Sequence, residues 1–184
     1  MRRIAGFSRK RRADATLVRR RRQSGQTWCV SCSQKSHTHT ADEEWCSICA
    51  NRIYVADEIY DEYAEKLTAA VRKFKIGDGA EEGITHGPLI HKAAVDKTAQ
   101  HVEDAKSKGA KVLIGGERLD RPGYFYAPTV LADVNDCAIN EEETFGPVAA
   151  LYRFKAEDDV ITEANKADVG LAGCVPFLHR VCHS

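Results

Sequence analysis

Residues 52–75 read RIYVADEIYDEYAEKLTAAVRKFK, and this stretch decides the fold. It opens with Arg52-Ile53-Tyr54-Val55, whose β-branched and aromatic side chains favour a strand. Apolar residues then recur at three- and four-residue spacings, which places them on one face of a helix: Ile59, Tyr63, Leu67, Ala70, Val71 and Phe74. We predict a strand followed by an amphipathic helix that has Asp57 as its N-cap and ends near Lys75.

Downstream, helix-like and strand-like segments alternate. A second helix is predicted from His91 to Lys108, because Gly109 supplies a natural residue to end it. Extended segments are predicted at residues 111–114, 124–131 and 149–154, and a last helix at residues 157–165. Helices that alternate with short strands predict an α/β layer structure.

The chain divides into four regions by composition. The first 24 residues hold ten Arg or Lys against the single acid Asp14, although the formal net charge of the chain is zero. Residues 1–27 are therefore read as a basic arm that folds little by itself. Residues 28–48 are read as an irregular insertion, residues 49–173 as the folded domain, and residues 174–184 as a separate tail.

Composition indicates a soluble globular protein. Hydrophobic residues make up 43% and charged residues 29% of the 184 residues, which is enough for the core of one domain. No apolar run approaches the roughly 18 residues that span a bilayer, and no hydrophobic segment follows the basic start as in a secretory signal. We expect no membrane partner and a cytoplasmic protein. A mitochondrial location is the alternative, because an Arg-rich, acid-poor arm is typical of presequences.

Five short motifs follow one another along the folded domain. They are Cys49-Ala50-Asn51-Arg52-Ile53-Tyr54-Val55, Gly77-Asp78-Gly79, Gly87-Pro88-Leu89-Ile90, Phe125-Tyr126-Ala127-Pro128-Thr129 and Glu142-Glu143-Thr144-Phe145-Gly146-Pro147-Val148. In their order and spacing the sequence resembles the aldehyde dehydrogenase superfamily, and within it the succinate-semialdehyde dehydrogenases. The resemblance runs from Cys49 to about Gly173, with a separate SGQT island at residues 24–27, and implies part of an α/β catalytic domain.

The resemblance also implies chemistry and site residues. The succinate-semialdehyde dehydrogenases oxidise succinate semialdehyde to succinate with NAD or NADP, through a cysteine thiohemiacetal. It assigns Glu143 to the nicotinamide ribose and Phe145 to the nicotinamide ring. A carboxylate can accept two hydroxyl hydrogen bonds, and an aromatic edge can position a flat ring. The alternative is a solvated Glu143 in front of an ordinary Gly146-Pro147 turn.

The family's nucleophile motif, GQTCxCANR, is interrupted in this chain. Trp28 follows Gly25-Gln26-Thr27, and Cys-Ala-Asn-Arg begins only at Cys49. The codons of Trp28 and Ser47 allow a translated intron that starts with GT and ends with AG. Its removal leaves one Cys codon and restores GQT-Cys-Ile-Cys-Ala-Asn-Arg in frame. In the chain as written, Cys29 and Cys46 are the nearest thiols and hence the candidate nucleophiles.

Arg22 is the candidate substrate-binding residue. In succinate-semialdehyde dehydrogenases an Arg six positions before the catalytic Cys binds the far carboxylate of the substrate, and Arg22 has that position relative to the restored Cys. The paired donors of a guanidinium match two carboxylate oxygens. Arg21 replaces the Phe expected before it, so a solvated basic run is the alternative.

A different class of function is indicated by residues 29–49. Two CxxC pairs, Cys29 with Cys32 and Cys46 with Cys49, are separated by 13 residues and could close a tetrahedral zinc site. Beside the basic arm, such a site would suggest a nucleic-acid-binding module. We favour the dehydrogenase, because Cys49 already belongs to the family motif, and predict no metal site and no nucleic-acid partner.

Several parts of the family are expected to be absent. These are the dinucleotide-binding domain, the general-base Glu, the Asn of the oxyanion hole and the strand that builds the homo-oligomer. Without them the cofactor has little surface to bind and the thioester is not released efficiently. We therefore expect the chain as written to bind NAD or NADP poorly and to be inactive. A non-catalytic interaction domain is the third hypothesis.

Overall fold

A computed structural model describes residues 15–18, 51–166 and 173–174. They form one sheet of strands β1 (Ala15–Val18), β2 (Arg52–Ala56), β3 (Lys111–Ile114), β4 (Thr129–Ala132), β5 (Val148–Phe154) and β6 (Gly173–Cys174). The order is β3-β4-β5-β2-β1-β6, in which β3 is antiparallel to β4 and every other pair is parallel. The helices are α1 (Tyr60–Val71), α2 (Lys92–Ser107), α3 (Ala138–Glu141) and α4 (Glu157–Ala164). The predicted α/β fold is confirmed.

Helices cover both faces of the sheet. Tyr54 of β2 packs in one core with residues of α2, α3 and α4, among them Val102. Its neighbours Ile53 and Val55 point to the other core, which contains Leu67 of α1. This alternation follows from strand geometry, since successive side chains leave a strand on opposite sides. Burial on both faces is why the central strands read as continuous apolar runs.

Helix α1 begins later than the sequence predicts. Residues Asp57–Ile59 form a 3₁₀ turn, and neither this turn nor α1 starts with a side-chain cap hydrogen bond. The prediction that Asp57 caps the helix is wrong. Its carboxylate instead accepts a hydrogen bond of 2.8 Å from Nη1 of Arg153, which lies over the ring of Tyr60. Asp57 therefore pairs with Arg153 of β5, which is distant in sequence, instead of capping the adjacent helix.

The second helix agrees closely with the prediction. His91 is the residue before α2, and its Nδ1 atom accepts a hydrogen bond of 3.0 Å from the amide of Ala94. Gly109 follows the helix with a φ of +96°, a conformation that glycine adopts at little cost. Both ends of α2 therefore lie within one residue of the predicted ends.

Two elements were not predicted. Strand β1 lies in the basic arm that was read as folding little by itself, and it pairs in parallel with β2 and β6. Helix α3 is a single turn after Cys137. Both are too short for a periodic pattern, and their hydrogen bonds or packing come from residues far along the chain. Residues 1–14, 19–50, 167–172 and 175–184, which hold most of the predicted arm, insertion and tail, lie outside the described residues.

Candidate functional site

The 142–147 loop, which contains Glu143 and Phe145, joins α3 to β5. Parallel pairing brings the first residues of β2, β4 and β5 to one edge of the sheet. At this edge the amide of Thr129, the first residue of β4, donates to the carbonyl oxygen of Pro147 over 2.8 Å. Asn51 directly precedes β2 and lies at the same edge. The sheet thus brings Asn51 of the CANR motif to the 142–147 loop.

Asn51 makes three hydrogen bonds that tie this loop to β2. Its Nδ2 atom donates to the carbonyl oxygens of Ile139 and Glu142, over 3.0 Å and 3.4 Å. Its Oδ1 atom accepts from the amide of Thr144 over 3.3 Å. One side chain therefore holds backbone groups on both sides of Glu143.

Helix α2 supports the loop from the other side. Nδ1 of His101 lies 3.1 Å from Oγ1 of Thr144, and both residues are buried. Nζ of Lys97 lies 3.0 Å from Oε2 of Glu142, while Nε2 of His101 lies 3.9 Å from the same oxygen. The pKa of His101 is lowered by burial and by Lys97, against the opposing effect of Glu142 and Asp104. The hydrogen bond from Lys97 lowers the pKa of Glu142, so this carboxylate stays charged.

Glycine is required where the loop crosses α2. A Cβ atom on Gly146 would come closer than 3.0 Å to Oγ1 of Thr98, a distance that real Cβ atoms do not show. Thr98 is fully buried, and its hydroxyl donates to the carbonyl oxygen of Ala94 over 2.8 Å. The backbone of the loop can approach the helix this closely only because residue 146 has no side chain.

Phe145 stands out from the surface in a strained conformation. Its φ is +44°, in the left-handed region that a bulky residue rarely adopts, and 58% of the residue is exposed. Glu143, two residues earlier, is half-buried, and its Oε1 atom is closed off from solvent. Strain in the backbone persists where the surroundings fix it, and it concentrates at functional sites. The loop thus carries an exposed aromatic ring two residues after a partly shielded carboxylate.

The other predicted site residues cannot be located. Arg22, Cys29 and Cys46 lie outside the described residues, as do all four cysteines of the zinc alternative. Within the described ranges, no cluster of three or more His, Cys, Asp or Glu could hold a metal ion. Cys137 is buried there, and burial raises the pKa of its thiol. A buried, protonated thiol is a poor nucleophile, so Cys137 is not a good candidate for the catalytic cysteine.

Sequence reasoning did not identify the residues that hold the loop. Asn51 is part of the Cys-Ala-Asn-Arg motif, but nothing in the neighbouring sequence indicates a partner 93 residues away. His101 and Thr98 lie on α2 without any motif. For Thr98 and His101, the signal that could have found them is a polar residue on the otherwise apolar buried face of a helix, since such groups need partners.

Comparison with known proteins decides the family. Residues 40–176 match the family model described as "Aldehyde dehydrogenase family". The chain belongs to the aldehyde dehydrogenase family. The match begins slightly upstream of Cys49, where the resemblance of the motifs starts. The proposed disruption between Thr27 and Cys49 is thus followed by a continuous aldehyde dehydrogenase segment.

Individual aldehyde dehydrogenases agree with this assignment. Over 126 residues the chain is 57% identical to a glutarate-semialdehyde dehydrogenase of Pseudomonas putida, covering 68% of this chain and 26% of that protein. Over 161 residues it is 47% identical to a mitochondrial succinate-semialdehyde dehydrogenase of Arabidopsis thaliana, covering 87% of this chain and 27% of that protein. Because the match to the Arabidopsis thaliana enzyme covers 161 of the 184 residues, it must include residues upstream of Trp28.

The fold agrees as well. The crystal structure of an Escherichia coli NADP-dependent enzyme superposes with a TM-score of 0.67 at 51% identity, covering 69% of this chain and 27% of the other. This chain therefore spans about a quarter of the length of the relatives that it matches. Aldehyde dehydrogenases are oxidoreductases that act on aldehydes with NAD or NADP. None of the helices in the described residues is long and apolar enough to cross a membrane.

Proposed function

We propose that this chain supplies the nicotinamide-facing part of an NAD(P)-dependent aldehyde dehydrogenase whose substrate is a short semialdehyde with a far carboxylate, succinate semialdehyde above all. The observation that carries the proposal is the 142–147 loop, which holds Phe145 exposed two residues after Glu143 and is fixed by a buried contact with His101 and a partly buried contact with Asn51. Strained residues concentrate at ligand-binding and active sites, so an exposed aromatic residue with strained backbone supports a binding role for this loop.

The residues of the loop fit a nicotinamide riboside. The carboxylate of Glu143 can accept hydrogen bonds from two neighbouring ribose hydroxyls, and its partial burial strengthens such bonds. The exposed ring of Phe145 can pack on the flat nicotinamide and limit its rotation. NAD or NADP, when bound, accepts the hydride that leaves the substrate carbon. The task of this loop is to hold the acceptor ring still.

The remaining chemistry belongs to a cysteine of the interrupted GQT…CANR motif. A thiolate forms a bond to the aldehyde carbon, which gives a thiohemiacetal. Loss of hydride from that carbon leaves a thioester, and water then releases the carboxylic acid and returns the thiol. We assign this nucleophile to the Cys codon restored by removal of residues 28–47, and to Cys29 or Cys46 in the chain as written. Arg22 is proposed to bind the far carboxylate.

A chimera tests the proposal. The segment of the Pseudomonas putida relative that aligns with residues 51–166 is replaced by those residues of this chain, and oxidation of glutarate and succinate semialdehydes is followed with NAD and NADP. We expect an active chimera, because the loop and its supports are transferred together. Replacing Glu143 by Gln should lower kcat/KM for the cofactor about tenfold or more, since a charge-assisted hydrogen bond is worth roughly 1.5–3 kcal/mol.

Glu141→Gln in the same chimera is the matched control. It makes the same chemical change two residues earlier, at the end of α3, outside the loop. We expect kcat/KM of this variant to stay within about twofold of the parent chimera, as for most surface substitutions. An active chimera in which Glu143→Gln is as good as the parent would contradict the proposed role of the loop.

A further inference from the structure

Asn51 is the side chain that ties the 142–147 loop to the sheet. Asn51 bonds the carbonyl oxygens of Ile139 and Glu142 and the amide of Thr144. The amide of Thr144 and the carbonyl of Glu142 flank Glu143 on its two sides. Any movement of the Asn51 amide group would therefore displace the backbone to which the Glu143 carboxylate is attached.

The position of Asn51 is itself fixed by the sheet. It is followed directly by β2, whose residues Arg52–Ala56 pair with residues 150–154 of β5. Arg52 is buried, and its Nη2 atom donates to the carbonyl oxygen of Ala164 at the end of α4 over 3.4 Å. A short, well-anchored side chain at the start of a central strand makes a more rigid support than a partner on another loop.

We propose that Asn51 is a positioning residue, which sets the conformation of the 142–147 loop and thereby the placement of Glu143 on the nicotinamide ribose. The second half of this statement rests on the proposed function; the first half does not. Asn51 belongs to the same four-residue segment as Cys49, so it couples the segment that carries the nucleophile motif to the loop that faces the cofactor. Neither a hydrophobic residue nor Ser could replace it, because the three bonds need two donors and one acceptor on one short side chain.

The test uses the 184-residue chain and hydrogen exchange of individual amides by NMR. In Asn51→Ala, exchange of the Thr144 amide should become about tenfold faster relative to wild type, the factor expected for the loss of one hydrogen bond. Exchange of the amide of Val130, a fully buried residue of β4, should be unchanged. Asn51→Asp keeps the acceptor but turns a carboxylate toward two carbonyl oxygens, and it should also speed exchange at Thr144.

A second measurement separates loop displacement from general destabilisation. The pKa of His101, measured by NMR titration, reports how well the loop shields the imidazole ring from water. Thr144 lies against this ring, and the charged groups around it are Lys97, Asp104 and Glu142. In Asn51→Ala the pKa of His101 should rise toward its ordinary value, because the displaced loop lets water reach the ring. Asn140→Ala is the matched control: it removes an asparagine of α3 whose bonds go to Cys137 and Tyr152 instead of to the loop. It should leave both Thr144 exchange and the His101 pKa unchanged.

The chimera with the Pseudomonas putida relative tests the link to function, because the 184-residue chain itself is expected to bind NAD or NADP poorly. We expect Asn51→Ala, introduced into the active chimera, to raise the KM for the cofactor several-fold. An active chimera in which Glu143→Gln has no effect would contradict the proposed function of the loop, whereas the exchange and titration results still decide the role of Asn51. Unchanged Thr144 exchange and an unchanged His101 pKa in both Asn51 variants would overturn the inference. If Asn51→Ala exchanges rapidly everywhere because it has unfolded, Asn51→Asp decides it by the same criteria.

Discussion

Gly146 and Thr98 are packed against each other so tightly that the loop has no room for a Cβ atom at residue 146. Thr98 lies on α2 and is completely buried, so its side chain cannot swing into solvent to make room. This contact fixes how far the 142–147 loop can approach the helix, and hence the backbone position of Phe145, the residue directly before Gly146.

Replacing Gly146 by Ala should therefore destabilise the domain. Overpacking a site that cannot relax costs about 1–3 kcal/mol in the free energy of unfolding. The measurement is urea unfolding. Gly87→Ala is the control, because a Cβ there meets nothing within 4 Å. Adding Thr98→Ala to Gly146→Ala should recover part of the loss; strictly additive effects would show that the two residues do not interact.

Backbone strain at Phe145 predicts an unusual ranking of variants. Because its φ is +44°, Phe145→Gly should be more stable than Phe145→Ala, by about 1 kcal/mol. At Tyr124, which is 46% exposed and has an ordinary φ, the ranking should be reversed. Thermal unfolding of the four variants is sufficient, and the same ranking at both positions would argue against strain at Phe145.

The depressed pKa of His101 predicts a specific dependence of stability on pH. Its ordinary value is 6.5, and burial together with Lys97 lowers it in the folded protein. The unfolded chain then binds the proton more readily, so the contribution of His101 to stability is present above pH 6.5 and is lost as the pH falls from there through the folded pKa. The other charged groups near the ring, Glu142 and Asp104, act in the opposite direction and moderate the effect.

His101→Gln isolates this effect, because glutamine can still bond Thr144 but does not titrate. We expect the stability of wild type relative to this variant to be constant between about pH 7 and 8 and to decrease below about pH 6.5. Urea unfolding at a series of pH values measures the difference. A wild type that gains stability over the variant as the pH falls would mean that the charged imidazole is favoured in the fold.

The interrupted nucleophile motif makes a prediction about the transcript. If residues 28–47 are translated intron, a spliced transcript should encode a protein in which one Cys replaces the 20 residues Trp28–Ser47, so that the protein is 19 residues shorter and the frame is unchanged downstream. Sequencing of amplified transcripts across this junction checks it. Detection of the unspliced form alone, under every growth condition tested, would refute the hypothesis.

Much of the fold was readable from local sequence. The three- and four-residue spacing of apolar residues predicted the helix that contains α1, and Gly109 marked the end of α2 because its turn preference acts within a few residues. The β-branched and aromatic run at residues 52–55 predicted β2. The EETFGP and CANR motifs identified the family because each carries its information in consecutive residues.

Tertiary structure alone decided how these motifs are arranged. Asp57 lost its role as a helix cap to Arg153, a residue 96 positions away. Strand β1 formed in a basic arm because neighbouring strands supplied its hydrogen bonds. The sequence does not identify the loop as the partner of Asn51, Thr98 and His101, because a hydrogen bond or a close contact between distant residues leaves no local pattern. The sequence by itself determined which chemical groups this part of an aldehyde dehydrogenase carries; the sheet, by bringing the start of β2, the side of α2 and the 142–147 loop to one edge, decided which of them act together.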